Sequence, residues 1–548
     1  MNVKQRTTGL AGGPAASIRQ AQSTPECHSS RTLSISNDHA AWLHEFAERH
    51  GRPAAVLHIG NIGNNAYILS KALNAVGIES DVLSFDDYHV MGCPEWEETD
   101  FAGDLENYDY PAWERVDLRG FQRPSWFVQG RLETCLRYLI ARHSGNSQPA
   151  DRYWETLTRQ RTRDCAAIRR EQRSWLSAVQ RLFSRGFCFT QRRINRIKCF
   201  ALQLLPWTRQ RPTLAERLPE LIAKYRESFP ERQDLLTSQD FPIASETFHL
   251  WRTALARYDL VVGYSTDGIY PLMVDRPYFA LEHGTIRSIP FETTARGRLC
   301  ALTYRLAQHA FITNADNHIA VQKLGLTKYG FLPHPLNEQE VDEETASALR
   351  VELRKRLNAD FIVLHPARQH WSWDRHPNWE KGNDLFIEGF ARFVRERSPR
   401  AGAVFVNWGK TVDGSRALLA NRGVADRVLW IEPQSNPRLL TYIKATDALA
   451  DQFFLGSFGG IMPKALRLGR ACLIHLDEER HRWCFPEMPP VINVGTPEEI
   501  LAALTRLYSD RGFARSFEID GPRWYDTYHR LALVTNRFVD EMRKVVAL

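Results

Sequence analysis

With 548 residues, 43% of them hydrophobic and 25% charged, the chain is long enough for two or three domains, each with its own core. No stretch approaches the ~18 uninterrupted apolar residues of a membrane-spanning helix, and the nine scattered cysteines form no C-x-x-C pair or zinc-spaced array, which leaves a reducing cytosol as the best fit. The net charge of +7 is local: residues 151–211 hold fifteen Arg or Lys against four Asp or Glu, so the rest of the chain is net acidic.

The first 38 residues are rich in Ser, Ala, Gly and Arg and lack the apolar core of a secretory signal. They read as a disordered tail rather than a transit peptide, and the tail is assigned to residues 1–50. From there, short apolar runs alternate with helix-length segments. In the first half these are 54–60, 79–86, 259–265, 278–284, 309–314 and 329–335; in the second, 360–368, 401–409, 427–433, 448–454, 471–477 and 491–495. Runs apolar on both faces and joined by helices predict parallel strands covered on both sides. The expected fold class is therefore α/β, with two Rossmann-like doubly wound parallel-sheet domains facing a cleft. The first domain spans 51–340 and the second 341–515, with the turn "HPLNEQEVDEE" between them. Residues 95–245 read as a mostly helical basic insertion in the first domain. The segment 516–548 reads as a C-terminal helix returning toward it, because Leu531, Val534, Phe538, Met542 and Val545 share one face.

Four motifs lie at predicted carboxyl ends of strands, where open α/β sheets bind ligands. In "HIGNIGNNAYILSKAL", Gly60 and Gly63 separate a strand from a helix and let backbone amides approach an anion, or simply make a tight turn. In "EHGTIRSIPFE", His283 ends a strand facing the cleft, suited to proton transfer or to a sugar hydroxyl, and Arg287 follows four residues on. Asp267 in "STDGIY" would be its neighbour on the acceptor side, unless it only caps the next helix. In "HPARQHWSWDRHPNWEKGNDLFIEGF", Arg368 closes a strand and Lys381 precedes a helix; two cations converging on a helix start suit a diphosphate. Trp371, Trp373 and Trp379 between them could instead cap the sheet. In "DQFFLGSFGGIMPKALRLGRACLIHLD", Gly456, Gly459 and Gly460 give a turn able to cradle phosphate, and Asp451 and Gln452 precede it.

In this order and spacing, "AR" at 367–368, "EKG" at 380–382 and "GSFGGIMPKALRLGRA" at 456–471 resemble the donor domain of the GT-B glycosyltransferases, most closely glycosyltransferase family four. "HG" at 283–284 and "ITNAD" at 312–316 agree more loosely with the first domain of that family. The resemblance implies a nucleotide-activated sugar as donor, no metal, no cofactor, and retention of configuration. Arg368 and Lys381 would hold the diphosphate and stabilise the leaving group, and His283 would contact the sugar or the leaving phosphate. Two departures are plain: the family's sugar-binding and ribose-binding glutamates fall on Gly456 and Lys464. A charged lysine accepts no hydrogen bonds. Lys464 is therefore a third cation for the diphosphate, a solvated helix residue, or the mark of a decayed site; the survival of Arg368, Lys381 and the glycines favours activity.

The basic stretch 151–211 interleaves cations with Trp175, Leu182, Phe183, Phe187, Phe189 and other apolar residues. Such a face can lie on an anionic membrane surface, or it can pack on the first domain with its arginines solvated; no nucleic-acid-binding module accompanies it. The expected protein is a cytoplasmic glycosyltransferase, peripheral at a membrane in the first of these readings, with a nucleotide sugar and a glycan or glycolipid acceptor as partners. A nucleotide-sugar epimerase of the same fold and a non-catalytic glycan- or lipid-binding protein with a relict donor site are the alternatives.

Overall fold

The computed structural model describes residues 33–145, 147–179, 213–372, 375 and 379–548, the side chains of 171–179 and 245 excepted. The first domain is built on β1 (Ala55–Ile59), β2 (Glu79–Phe85), β3 (Phe127–Gly130), β4 (Leu260–Tyr264), β5 (Tyr278–Leu281), β6 (His309–Ile312) and β7 (Tyr329–Phe331). The second is built on β8 (Phe361–His365), β9 (Ala401–Val406), β10 (Val428–Ile431), β11 (Ala448–Ala450), β12 (Ala471–Ile474) and β13 (Ile492–Asn493). The sheets run β3-β2-β1-β4-β5-β6-β7 and β10-β9-β8-β11-β12-β13, and the pairings within them are parallel. The order reverses between β1 and β4 and between β8 and β11, so each sheet opens a crevice at those carboxyl ends. These are two Rossmann-like domains with a crevice between them.

Helices cover both faces of each sheet, and for that reason β1, β4, β8 and β9 are buried along their whole length. Apolar side chains of the first sheet pack on one side against the helices 132–143 and 245–255 and on the other against the chain's last helix. That last helix, Leu531–Val545, places Val534, Phe538, Val539 and Met542 against β1, β4 and β5, so the C-terminus closes the first domain after the second is complete.

Two sequence expectations need correction. Residues 1–50 are not all tail: Asn37–His50 is a helix, capped by Ser36 at its start and Gly51 at its end, and it buries Trp42 and Phe46. Its His39 reaches Asn536 and Asp540 of the returning helix at 2.8 and 2.7 Å, so the start and end of the chain stabilise each other. Nor is 95–245 wholly additional to the sheet. Phe127–Gly130 pairs with β2 as the edge strand β3, which four residues among aromatic and loop segments did not signal.

Much of the basic helix Ser147–Val179 packs on the first domain. Leu157 and Cys165 are buried, Arg131 pairs with Asp164, and Arg169 pairs with Glu114 at 2.6 Å. Of the apolar residues quoted for the membrane reading, 182–189 lie outside the described residues. No described helix is long and apolar enough to cross a membrane.

Candidate functional site

The second-domain side of the crevice is organised by a buried histidine. His365, the last residue of β8, contacts the Ala450 carbonyl through Nδ1 at 2.8 Å and the Asn383 side-chain amide through Nε2 at 2.9 Å. Burial holds its pKa down to about 4, so the ring is neutral; a carbonyl at Nδ1 requires the proton there, which leaves Nε2 to accept from Asn383. Asn383 begins the helix Asn383–Glu396 and also accepts from the His370 amide at 3.0 Å. β8, β11 and the helix start are thereby tied to one point, and the turn carrying Arg368 is fixed over it.

Lys381 is clamped by its own backbone, its N–H donating to the His370 carbonyl and its carbonyl accepting from the Phe453 amide, both at 2.8 Å. Gly382 has φ +68, and a Cβ there would lie 3.2 Å from Phe453 backbone, so the two chain segments approach as closely as glycine allows. The Lys381 ammonium donates to Gln452 Oε1 at 2.6 Å, and Gln452 donates in turn to the Ser457 carbonyl. Burial pushes the Lys381 pKa down to about 8, with Arg368 and Arg287 adding repulsion and Asp451 opposing them. Three cations, Arg287 from the first domain and Arg368 and Lys381 from the second, therefore act on one another across the crevice.

They are not equally available. Arg287 is gripped by Asp316 at 2.5 and 2.9 Å and lies folded under Gly284, whose Cβ would come within 2.6 Å of it. Arg368 and Lys381 form no ion pair among the described residues. The Arg368 side chain is exposed to the crevice and rests over the Trp408 ring at 5.4 Å. Across the crevice His89 stacks on the same ring at 6.0 Å. Asp451 is buried with one carboxylate oxygen unpartnered, and burial lifts its pKa to about 6 against the pull of Lys381 and of the Met462 amide.

The glycines of the loop before the helix Ile461–Arg467 divide. Gly456 has φ +69, and a Cβ on it would stand 3.1 Å from the Asp477 Cβ. A glutamate at this position would need a left-handed backbone, so the loop is built around the glycine. Gly456→Ala is expected to lower stability by about 1–2 kcal/mol, read as a shift in the urea midpoint. Gly459 has open space around it, and Gly460 lies against Leu336 of the interdomain connection. Burial lowers the pKa of Lys464, in the helix Ile461–Arg467, and the charge of Glu97 from the first domain opposes that shift.

On the first-domain side, His283 stacks between Tyr264 and His334, with ring centroids 5.6 and 5.4 Å away. Its Nε2 is buried without a partner, and burial, aided by His334, pushes its pKa well down, so it is a neutral imidazole. Behind it, the buried Glu282 carboxylate accepts from the amides of Gly284, Thr313 and Asn314 and from the Asn317 side chain, which fixes the loops after β5 and β6. Asp267 lies against Gly60, where a Cβ would be 2.7 Å from its Oδ2, and burial followed by Asp87 lifts its pKa to about 7. Gly60 thus serves the close approach of Asp267. The Gly63 turn is internally bonded, with Asn61 accepting from the Tyr67 amide and Asn65 donating to the Ile62 carbonyl.

Arg368, Lys381, Asp451 and Gln452 are brought together, with Arg287 opposite. His283 and Asp267 follow neighbouring strands β5 and β4. Sequence reasoning missed Trp408, Asn383, His334 and Glu97. "VNWG" after β9 and "KGND" at the helix start were available signals for the first two; nothing local marked the others. A cavity of about 460 Å³ opens at the domain seam between residues 100–105, Tyr108 and 432–438, while a hollow of about 680 Å³ near the C-terminus lies among Trp42 and 540–548, away from the crevice.

No protein-family model and no curated protein matches the chain. Among solved structures it is similar to Anabaena Alr3699/HepE in complex with UDP and glucose, at 14% identity and TM-score 0.45, over 55% of this chain and 82% of that one. It is also similar to sucrose-phosphate synthase from Thermosynechococcus elongatus, at 14% identity and TM-score 0.40, over 57% and 86% of the two chains. UDP-GlcNAc 2-epimerase from Neisseria meningitidis bound to UDP-GlcNAc gives 15% identity and TM-score 0.33 over 60% and 90%. These likenesses are distant, and the functional reading rests on the site itself.

Proposed function

We propose that the protein is a glycosyltransferase that moves a hexose-type sugar from a nucleoside diphosphate to a glycan or lipid-linked acceptor. The observation that carries this reading is the pair Arg368 and Lys381, two cations without carboxylate partners held by a rigid frame at the crevice of two Rossmann-like domains. Holding the Lys381 ammonium buried without a carboxylate in contact is costly in a folded protein, and a diphosphate that also meets the exposed Arg368 is the ligand that offsets it. As the sugar–phosphate bond breaks, negative charge grows on the departing diphosphate, and prepositioned cations favour that state over the bound donor. This neutralisation does for the leaving group what a divalent cation does in other sites, so the proposed transfer is metal-independent; retention of configuration is what the family resemblance implies.

His283, neutral and with an unpartnered Nε2, supplies a hydrogen bond to the transferred sugar or its phosphate. Asp267 faces the acceptor side as a carboxyl that titrates near neutrality, suited to receiving the proton of an acceptor hydroxyl. Saturation binding of UDP and GDP, followed by product analysis with nucleotide sugars and glycan or glycolipid acceptors, tests the assignment.

A pH dependence follows from Lys381. Its pKa in the free protein is about 8, and the diphosphate binds the charged form. Between pH 7 and pH 9.5 nucleotide affinity is therefore expected to fall, approaching tenfold per unit above pH 8, as measured by calorimetry with UDP or GDP. The same titration on a Lys381→Met variant should be flat.

Asp267 also favours a second reading, a nucleotide-sugar epimerase, since that chemistry needs an acid/base carboxyl in the cleft. The two separate cleanly: an epimerase converts its nucleotide sugar with no acceptor present, and a transferase does not. Association of the basic segment with anionic membranes is part of the proposal for a lipid-linked acceptor. Liposome co-sedimentation should then rise with anionic lipid content, and indifference to that content would remove it.

A further inference from the structure

Arg368 and Lys381 are held in different ways. The Lys381 ammonium is fixed by Gln452, whereas the Arg368 guanidinium makes no hydrogen bond or ion pair among the described residues and rests over the Trp408 ring, 5.4 Å from its centroid. An exposed arginine left to itself samples many rotamers, and binding must then bear the cost of ordering it. A planar guanidinium laid over an aromatic face is already ordered and keeps its N–H donors free for a ligand. The two residues are joined at the backbone as well. The Gln369 amide donates to the Trp408 carbonyl at 2.7 Å, and Gly409, at φ +126, runs so close to Gln369 that a Cβ on it would lie 2.3 Å from the Gln369 carbonyl oxygen. The turn after β9 therefore cannot shift without carrying the turn after β8 with it.

Trp408 is in turn gripped from the first domain. His89, in the loop after β2, stacks on it at 6.0 Å with 20° between the ring planes, and the Tyr108 ring lies 6.3 Å away. Those two residues are one unit: the Val90 amide donates to the Tyr108 carbonyl at 2.7 Å, and His89 Nδ1 accepts from the Met91 amide at 3.2 Å. Burial lowers the His89 pKa against the pull of Asp109 and Asp87, and the Arg368 charge adds to the lowering, so a neutral ring faces Trp408. The Tyr108 hydroxyl reaches Glu432 at 3.5 Å, and Glu432 accepts at 2.9 Å from Asn407, the residue before Trp408. We propose that Trp408 is a positioning residue for Arg368, and that His89 and Tyr108 make its placement depend on the first domain. The inference rests on the diphosphate reading above and extends it: the cation belongs to the second domain, but its readiness to bind is set by both. A donor diphosphate then meets an ordered Arg368 only when the two domains are apposed.

The test is calorimetry on the full chain with UDP, GDP and pyrophosphate, comparing Trp408→Leu, Trp408→Phe and His89→Ala in the wild-type and Arg368→Gln backgrounds. Trp408→Leu should weaken UDP or GDP binding about 5- to 10-fold and pyrophosphate binding by the same factor, while Trp408→Phe, which keeps a ring beside the guanidinium, stays within about twofold of the wild type. His89→Ala should cost about two- to fivefold from the other domain. In the Arg368→Gln background both losses should shrink to within about twofold, because the ring then has no guanidinium to hold. Unchanged affinity in Trp408→Leu, equal losses with and without Arg368, or a loss for nucleotides with none for pyrophosphate would overturn the positioning role and leave the nucleotide reading intact. A loss in Trp408→Leu with none in His89→Ala would overturn the dependence on the first domain. A wild type that binds none of the three ligands would overturn both the positioning role and the nucleotide reading. Should Trp408→Leu lose its cooperative melting transition, His89→Ala in the two backgrounds decides: a loss confined to the chain with Arg368 is expected, and an equal loss in both, or none, would overturn the proposal.

Discussion

Replacing His283 by Ala is expected to slow sugar transfer by about 100- to 1000-fold while nucleotide diphosphate affinity stays within about twofold. The rate figure is what removal of one prepositioned polar group from a developing charge typically costs. The selectivity follows from placement. His283 belongs to the first domain and touches Tyr264 and His334, whereas the cations that would hold the diphosphate belong to the second. Its ring is neutral throughout the physiological range, so the effect should not depend on pH between about 6 and 8. Steady-state rates and calorimetry on the same preparations check both halves. A variant with full activity would remove His283 from the mechanism, and one with equally weakened nucleotide binding would move it to the diphosphate.

Lys381→Met should weaken binding of UDP or GDP by about 10- to 100-fold, because a hydrogen bond to a charged partner is worth about 1.5–3 kcal/mol. The sign of the accompanying stability change separates this loss from misfolding. Lys381 has a folded pKa of about 8, below that of an exposed lysine, so at neutral pH its charge opposes folding. That penalty is present below pH 8 and fades as the pH rises toward the ordinary lysine value. Methionine keeps the stem and removes the charge, so the melting temperature at pH 7 should hold or rise. A site that gains stability as it loses affinity is one whose strain serves its ligand. Weaker binding together with a lower melting temperature would point instead to damage of the Gln452 and Phe453 contacts.

Much of the fold was legible because the strands are short apolar runs separated by helices, and such a pattern has few topological solutions. The twelve strand segments expected from sequence all correspond to observed strands; β3 is the one not expected, a short edge strand whose context is aromatic loop. The helix Asn37–His50 escaped because its polar outer face and proximity to a low-complexity tail hid the stripe of Trp42 and Phe46 that packs inward. In the site, position alone marked Arg368 and His283 just past strand ends and Lys381 just ahead of a helix. What the sequence could not show is who neutralises whom. Arg287 looked as free as Arg368 until Asp316 was seen to hold it, and Glu97, whose charge acts on Lys464, lies 367 positions earlier in the chain on a helix of the other domain. Gly456 looked like a lost glutamate; its left-handed backbone shows a turn designed for glycine. Pairings between distant charges and the sign of φ are properties of the folded chain, and one sequence carries no local mark of them.

Arg368 and Lys381 are proposed to receive a diphosphate jointly. This is tested most directly by calorimetric titration of UDP and GDP into the wild type and into the double variant R368Q/K381M, with folding of both verified by melting. Saturable one-to-one binding in the wild type and none in the double variant is the predicted result. A wild type that binds neither nucleotide, or a double variant that binds as tightly as the wild type, would contradict it.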